Sequence, residues 1–215
     1  YMKTRNLFLL FALMLIFSSC KEKHQLFNGN DLSGWVAYVD EAAPIPAEEV
    51  FMVKDGNLFI KGLPFGYLRT EQKYQDYTLH VEWRWVDKPS NSGLFQRVQD
   101  GDALWCTAIE CQLCNGKAGD FVMLGGSKIE EVECVGMFPI KERNGDYENE
   151  TGKWNKAKVV CTGNKIKVYI NGKLQNECTC EFTEGYIALQ SEGGPVEFRN
   201  IYLTDFTPAN DAQQK

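Results

Sequence analysis

Histidine is scarce in this chain, with 2 among 215 residues, and no tandem pair of CxxC motifs occurs, so a structural zinc site lacks its usual ligands. Runs of lysine or arginine are missing too. With a net charge of −6 and a pI near 5.1, nothing draws a phosphate backbone to the surface, and nucleic acid is excluded as a partner. Beyond Cys20 there is no amphipathic helix of useful length and no second apolar run able to cross a bilayer. Internal repeats and low-complexity segments are absent as well. These absences leave short alternating runs in a chain of one domain's length, which points to an all-β domain.

What is present begins with a charged N-terminus. Lys3 and Arg5 precede an apolar run from Leu7 to Phe17, followed by Ser18, Ser19 and Cys20. That order is expected of a lipoprotein signal peptide over residues 1–19, with an ordinary signal peptide and an incidental cysteine as the alternative. Cys20 then becomes the lipidated first residue, residues 20–25 a polar tether, residues 26–206 the folded domain and residues 207–215 a tail. The expected location is the cell envelope, with the membrane as partner through a lipid anchor on the periplasmic or outer-membrane face. Setting Cys20 aside from the 8 cysteines leaves an odd number, so at least one thiol stays unpaired. Cys106, Cys111, Cys114, Cys134, Cys161, Cys178 and Cys180 are read mainly as small buried hydrophobes, with one or two disulfides left open.

Alternation of period two marks the strands. Over residues 76–87, Tyr77, Leu79, Val81, Trp83 and Trp85 share one face, and Thr78, His80, Glu82 and Arg84 the other. Residues 93–98 form another run, and over residues 105–113 Ile109, Cys111 and Leu113 alternate with Ala108, Glu110 and Gln112. Residues 165–170 lead into Asn171-Gly172, a dipeptide suited to the two positive φ angles of a hairpin turn. The last strands are residues 186–190 and 196–203, and a slip in apolar parity near Arg199-Asn200 predicts a bulge. Residues 40–49 and 115–153 break the rhythm and read as long loops.

Several of these segments carry a resemblance. Leu26-Phe27-Asn28-Gly29-Asn30-Asp31-Leu32-Ser33-Gly34-Trp35 resembles the opening of the 3-keto-disaccharide hydrolase domain family. Val53-Lys54-Asp55-Gly56-Asn57-Leu58, Tyr67-Leu68-Arg69-Thr70, Glu82-Trp83-Arg84, Asn91-Ser92-Gly93-Leu94-Phe95, Glu110-Cys111-Gln112 and Val196-Glu197-Phe198-Arg199-Asn200-Ile201 are similar to later family motifs, in order. The resemblance implies a concanavalin A-like jelly-roll sandwich of two antiparallel sheets, one curved into a sugar-binding face. It also implies cleavage of a glycoside whose C3 hydroxyl has been oxidised to a ketone. The ketone acidifies the C2 proton, so the protein must supply a base, a stabiliser for the enolate oxygen and an acid for the leaving group. Carboxylates, histidine, arginine or a bound divalent metal would serve. A direct retaining glucanase of this fold uses Glu-x-Asp-x-x-Glu, whereas this strand reads Glu110-Cys111-Gln112-Leu113-Cys114-Asn115, without the later acids.

Parity, chemistry and motif position select the candidate residues. Glu110 is the expected general base and Gln112 its companion, facing either bulk water or a sugar groove. Arg84 is the site candidate of its strand, although His80, Glu82 and Arg84 equally make a salt-bridged trio. Arg97 shares a face with Phe95 and either steadies the enolate or covers core aromatics. Asn91 and Ser92 close a turn or touch sugar hydroxyls, Gln190 suits sugar hydrogen bonding, and Lys128 reaches in from the long loop. Trp83 and Trp85 read as core, while Trp105 and Trp154 are open to a sugar-stacking role. The leading reading is therefore a hydrolase or lyase acting on 3-keto-glycosides; the alternative is a non-catalytic carbohydrate-binding lipoprotein.

Overall fold

The structure, a computed structural model, describes residues 22–43 and 45–209. The expected signal peptide and Cys20 lie outside the described residues. In chain order the strands are β1 (His24–Gln25), β2 (Trp35–Val39), β3 (Phe51–Lys54), β4 (Asn57–Ile60), β5 (Gly66–Thr70), β6 (Tyr77–Trp85), β7 (Gly93–Val98) and β8 (Ala108–Gln112). They continue as β9 (Phe121–Leu124), β10 (Ile140–Lys141), β11 (Asn155–Thr162), β12 (Lys165–Ile170), β13 (Lys173–Thr179), β14 (Tyr186–Ser191) and β15 (Val196–Thr204). One short 3₁₀ turn, Ala47–Glu49, is the sole helical element among the described residues.

Two antiparallel sheets result. The first runs β13-β12-β11-β6-β15-β4-β3 with β1 added along β15, and the second runs β10-β9-β8-β7-β14-β5-β2. Because alternate residues of each strand point to opposite faces, the inward apolar sets meet between the sheets. Leu79, Val81, Trp83, Trp85, Val159, Val168 and Phe198 come from the first sheet, and Leu68, Leu94, Ile109, Cys111, Phe121 and Leu189 from the second. The fold is thus the jelly-roll sandwich expected from the alternation and the resemblance.

Local chemistry explains the turns. Asn28 Oδ1 accepts from the backbone N–H of Asn30 at 2.7 Å and of Asp31 at 3.0 Å, closing the first loop. Asn171 and Gly172 take φ of 48° and 81°, which gives the β12–β13 hairpin its turn. In β15 the register with β6 shifts between Arg199 and Tyr202, where Asn200 has φ 52°. The bulge returns Ile201 and Leu203 to the core side.

Three expectations change. Residues 115–153 are not all loop, since they contain β9, whose four residues are all buried and carry no alternation. Trp105 and Cys106 precede β8 and belong to a loop crossing the outer face of the second sheet, not to the strand. No disulfide forms: the seven cysteines among the described residues are free thiols, five of them buried.

Candidate active site

The second sheet has apolar side chains on its outer face as well. Tyr67, Phe95, Val98, Ala108, Val122, Leu124 and Ala188 form a second buried cluster there, with Cys106 and the half-buried Trp105 laid over it. A buried outer face needs a roof, and the 99–107 segment supplies it. Asp100 accepts from Lys73 at 2.6 Å and from the Tyr186 hydroxyl at 3.1 Å, while Asp102 accepts from Arg69 Nε and the Tyr67 hydroxyl, both at 3.1 Å. These pairs hold both aspartates below the usual carboxylate range, through Lys73 for Asp100 and Arg69 for Asp102. Trp105 then sits between Phe65 (6.0 Å) and Phe138 (5.0 Å, edge-on).

Beneath this roof a continuous cross-strand row runs Val36, Arg69, Ala188, Phe95, Glu110, Val122 and Ile140. Glu110 therefore lies near the middle of the sheet and is 2% exposed. It faces neither bulk water nor the inter-sheet core. Room for its carboxyl comes from Gly93, where an added Cβ would stand 2.1 Å from Glu110 Oε1. Burial, together with the nearby Glu192, pushes the Glu110 pKa well above the carboxylate range.

Glu192 follows β14 and is the partner that strand parity did not reveal. Asn91 forms a β-bridge with it, Gln190 Nε2 donates to its carboxylate at 2.6 Å, and burial raises its pKa. Glu110 Oε1, Gln190 Oε1 and Asn91 Oδ1 are all buried without a hydrogen-bond partner. Three buried orphan acceptors gathered around Glu192 are costly unless something supplies donors, and a polyhydroxylated ligand would do so. Two carboxylates and two amides thus come together from β8, the end of β14 and the turn before β7. Among the described residues no group of three or more His, Cys, Asp or Glu side chains is placed to hold a metal ion.

The remaining candidates divide. Gln112 flanks the row, but its Oε1 accepts from the N–H groups of Leu113 and Cys114 at 2.9 and 2.8 Å, so it shapes the strand end. Ser92 is buried and donates to the Gln190 carbonyl at 2.8 Å, which fixes β7 against β14. Lys128 is exposed, with its backbone N–H on Glu181. Arg84 is not with Glu110 at all: it lies on the outer face of the first sheet, 2.7 Å from Glu197 and stacked on Trp154. Arg97 is also corrected. A bulge opposite Ile187, with Arg97 at φ 58°, turns its side chain away from the Phe95 face. Its guanidinium is fully buried, lies 5.4 Å from the Tyr77 ring and donates to the carbonyls of Tyr74, Gln75 and Gly163.

A jelly roll of two antiparallel sheets is the fold of the concanavalin A-like class. Residues 22–204 match the model of the 3-keto-alpha-glucoside-1,2-lyase-like domain, and the chain belongs to that family. Among solved structures it is similar to a protein assigned as a glycosyl hydrolase from Parabacteroides distasonis, with 19% identity and a TM-score of 0.65, covering 85% of this chain and 93% of that one. It is similar too to the carbohydrate-binding module CBM66 from Bacillus subtilis, with 14% identity, TM-score 0.59 and coverage of 80% and 96%. The Bacillus licheniformis beta-glucanase matches at 13% identity and TM-score 0.55, covering 86% and 97%. No curated protein matched by sequence.

Proposed function

We propose that this protein cleaves 3-keto-glycosides by elimination followed by hydration. The observation that carries this reading is Glu110: a buried carboxyl with an orphan oxygen and a raised pKa, on the outer face of the second sheet beside Glu192, in a chain of this family. A carboxylate removed from water is a stronger base, which suits it to a C2 proton acidified by the adjacent ketone. Glu110 takes that proton, and the C2–H electron pair becomes the enolate. The enolate then re-forms the C3 ketone as the C1–O bond breaks, leaving a C1=C2 double bond. Glu110 then returns the proton to the departing oxygen, and water adds across the double bond to release the 3-keto sugar. Gln190 Oε1 and Asn91 Oδ1, which lack donors, are left to accept from the sugar hydroxyls.

The test is NMR of the protein incubated with a 3-keto-disaccharide and with its unoxidised parent. Cleavage of the keto sugar alone, with exchange of the C2 proton, is the expected result. Glu110→Gln should lower turnover by about 10²-fold or more while the fold is kept. Binding of either sugar without any turnover would replace this reading with that of a carbohydrate-binding protein.

We also propose anchoring at the cell envelope through Cys20, which rests on the charged, apolar and small-residue order of residues 3–20. Labelled fatty acid should enter the protein in bacterial cells and be lost in Cys20→Ser. Equal labelling of the two would remove the anchor.

A further inference from the structure

The outer face of the first sheet carries a feature that the reaction does not use. Trp154 precedes β11, next to Arg84 on β6, and its indole lies 4.7 Å from the Arg84 guanidinium and 4.0 Å from that of Arg199. Arg84 and Arg199 rise from neighbouring strands of one sheet face, and each is pinned by a carboxylate: Arg84 by Glu197 and Arg199 by Glu82, both at 2.7 Å. An indole laid across two fixed guanidiniums is held flat along the sheet, with its far side turned outward.

That indole borders an open depression of about 620 Å³, lined otherwise by Glu148, Asn149, Glu150 and Lys153, within the size range of small-molecule sites. The rim is already ordered. Glu148 Oε2 accepts from the Gly116 N–H at 2.5 Å, Asn149 N–H donates to Asn155 Oδ1 at 2.7 Å, and Asn149 Nδ2 donates to the Trp154 carbonyl at 3.0 Å. The Glu148 carboxylate is further met by the side chains of Trp85 and Asn115, so the polar groups left facing the depression are the exposed Asn149, Glu150 and Lys153 at its rim.

We infer that this depression is a second carbohydrate-binding site, taking one neutral pyranose ring of an oligosaccharide on Trp154. A pyranose offers a flat C–H face to the indole and hydroxyls to Asn149, Glu150 and Lys153 at the rim. The surrounding carboxylates and ammonium are of mixed sign, which favours a neutral ring over an ion. The site lies on the opposite sheet from Glu110, so it would hold a chain at the surface rather than cut it.

Cellotetraose and maltotetraose are the probes, titrated into ¹⁵N-labelled protein while the indole N–H resonances are followed. The Trp154 resonance, assigned by its loss in Trp154→Ala, should shift saturably with at least one sugar. Trp154→Ala should weaken that binding about tenfold or more. The rim variant Glu150→Ala/Lys153→Ala leaves the packing around Arg84 and Arg199 in place, and should weaken it with an unchanged melting temperature. A Trp154 signal that stays still at saturating concentrations of both sugars, or unchanged affinity in both variants, would overturn the inference. Turnover of 3-keto-disaccharides is not read in this experiment, so the site at Glu110 and the site at Trp154 stand or fall separately.

Discussion

At the scale of single residues, Glu110 joins chemistry to stability. In the unfolded chain its carboxyl loses a proton in the ordinary range, whereas in the folded protein burial and Glu192 keep the proton on to higher pH. The folded state therefore binds more protons between these two values, and this residue's contribution to stability falls as pH rises through that window. Glu110→Gln should remove the slope and leave the protein more stable than wild type at neutral pH, as read by urea denaturation at several pH values. Activity should move the other way. A base works ionised, so the acid limb of the pH–rate profile should lie above the usual carboxylate range. Replacing Glu192 by Gln removes a nearby negative charge, and should shift that limb to lower pH. An unmoved limb would show that the two carboxyls do not interact.

The element laid over the outer face of the second sheet is the 99–107 segment. It holds no strand of its own and is kept on the sheet by Asp100 and Asp102, which reach Lys73, Tyr186, Arg69 and Tyr67. These pairs are partly exposed and add little to global stability. Their effect is to place Trp105 against Phe65 and Phe138. Asp102→Asn should leave the melting temperature nearly unchanged and raise KM several-fold with a smaller change in kcat, because the roof is loosened and the chemical groups are untouched. A matched fall in kcat with KM constant would instead put Asp102 in the chemistry. β9 shows the same influence of the roof. Its outer face is covered, so Val122 and Leu124 are apolar where a wet sheet would be polar, and the alternation that announces a strand disappears.

Across the whole molecule, the sandwich is tied together where strand ends and turns meet, and Arg97 is the clearest tie. Its guanidinium draws together the carbonyls that precede β6 and the turn between β11 and β12. Arg97→Met would take this donor from all three carbonyls, leaving Tyr74 only the Gly185 N–H, and should cost about 2 to 4 kcal/mol in urea denaturation. A catalytic arginine would lower activity with stability unchanged. What the sequence determined by itself was whatever depends on neighbours along the chain: the alternating strands, the Asn171-Gly172 turn, the bulge at Asn200, and Glu110 opposite in face to Ile109 and Cys111. Only the tertiary structure decided whatever depends on neighbours across the sheets. Strand order put Arg84 on the sheet opposite Glu110, a bulge turned Arg97 away from the Phe95 face, and the β14 turn brought Glu192 beside Glu110 from residues distant in sequence. Period-two alternation tells which side of its own strand a residue takes, and long-range pairing alone tells what stands on that side with it.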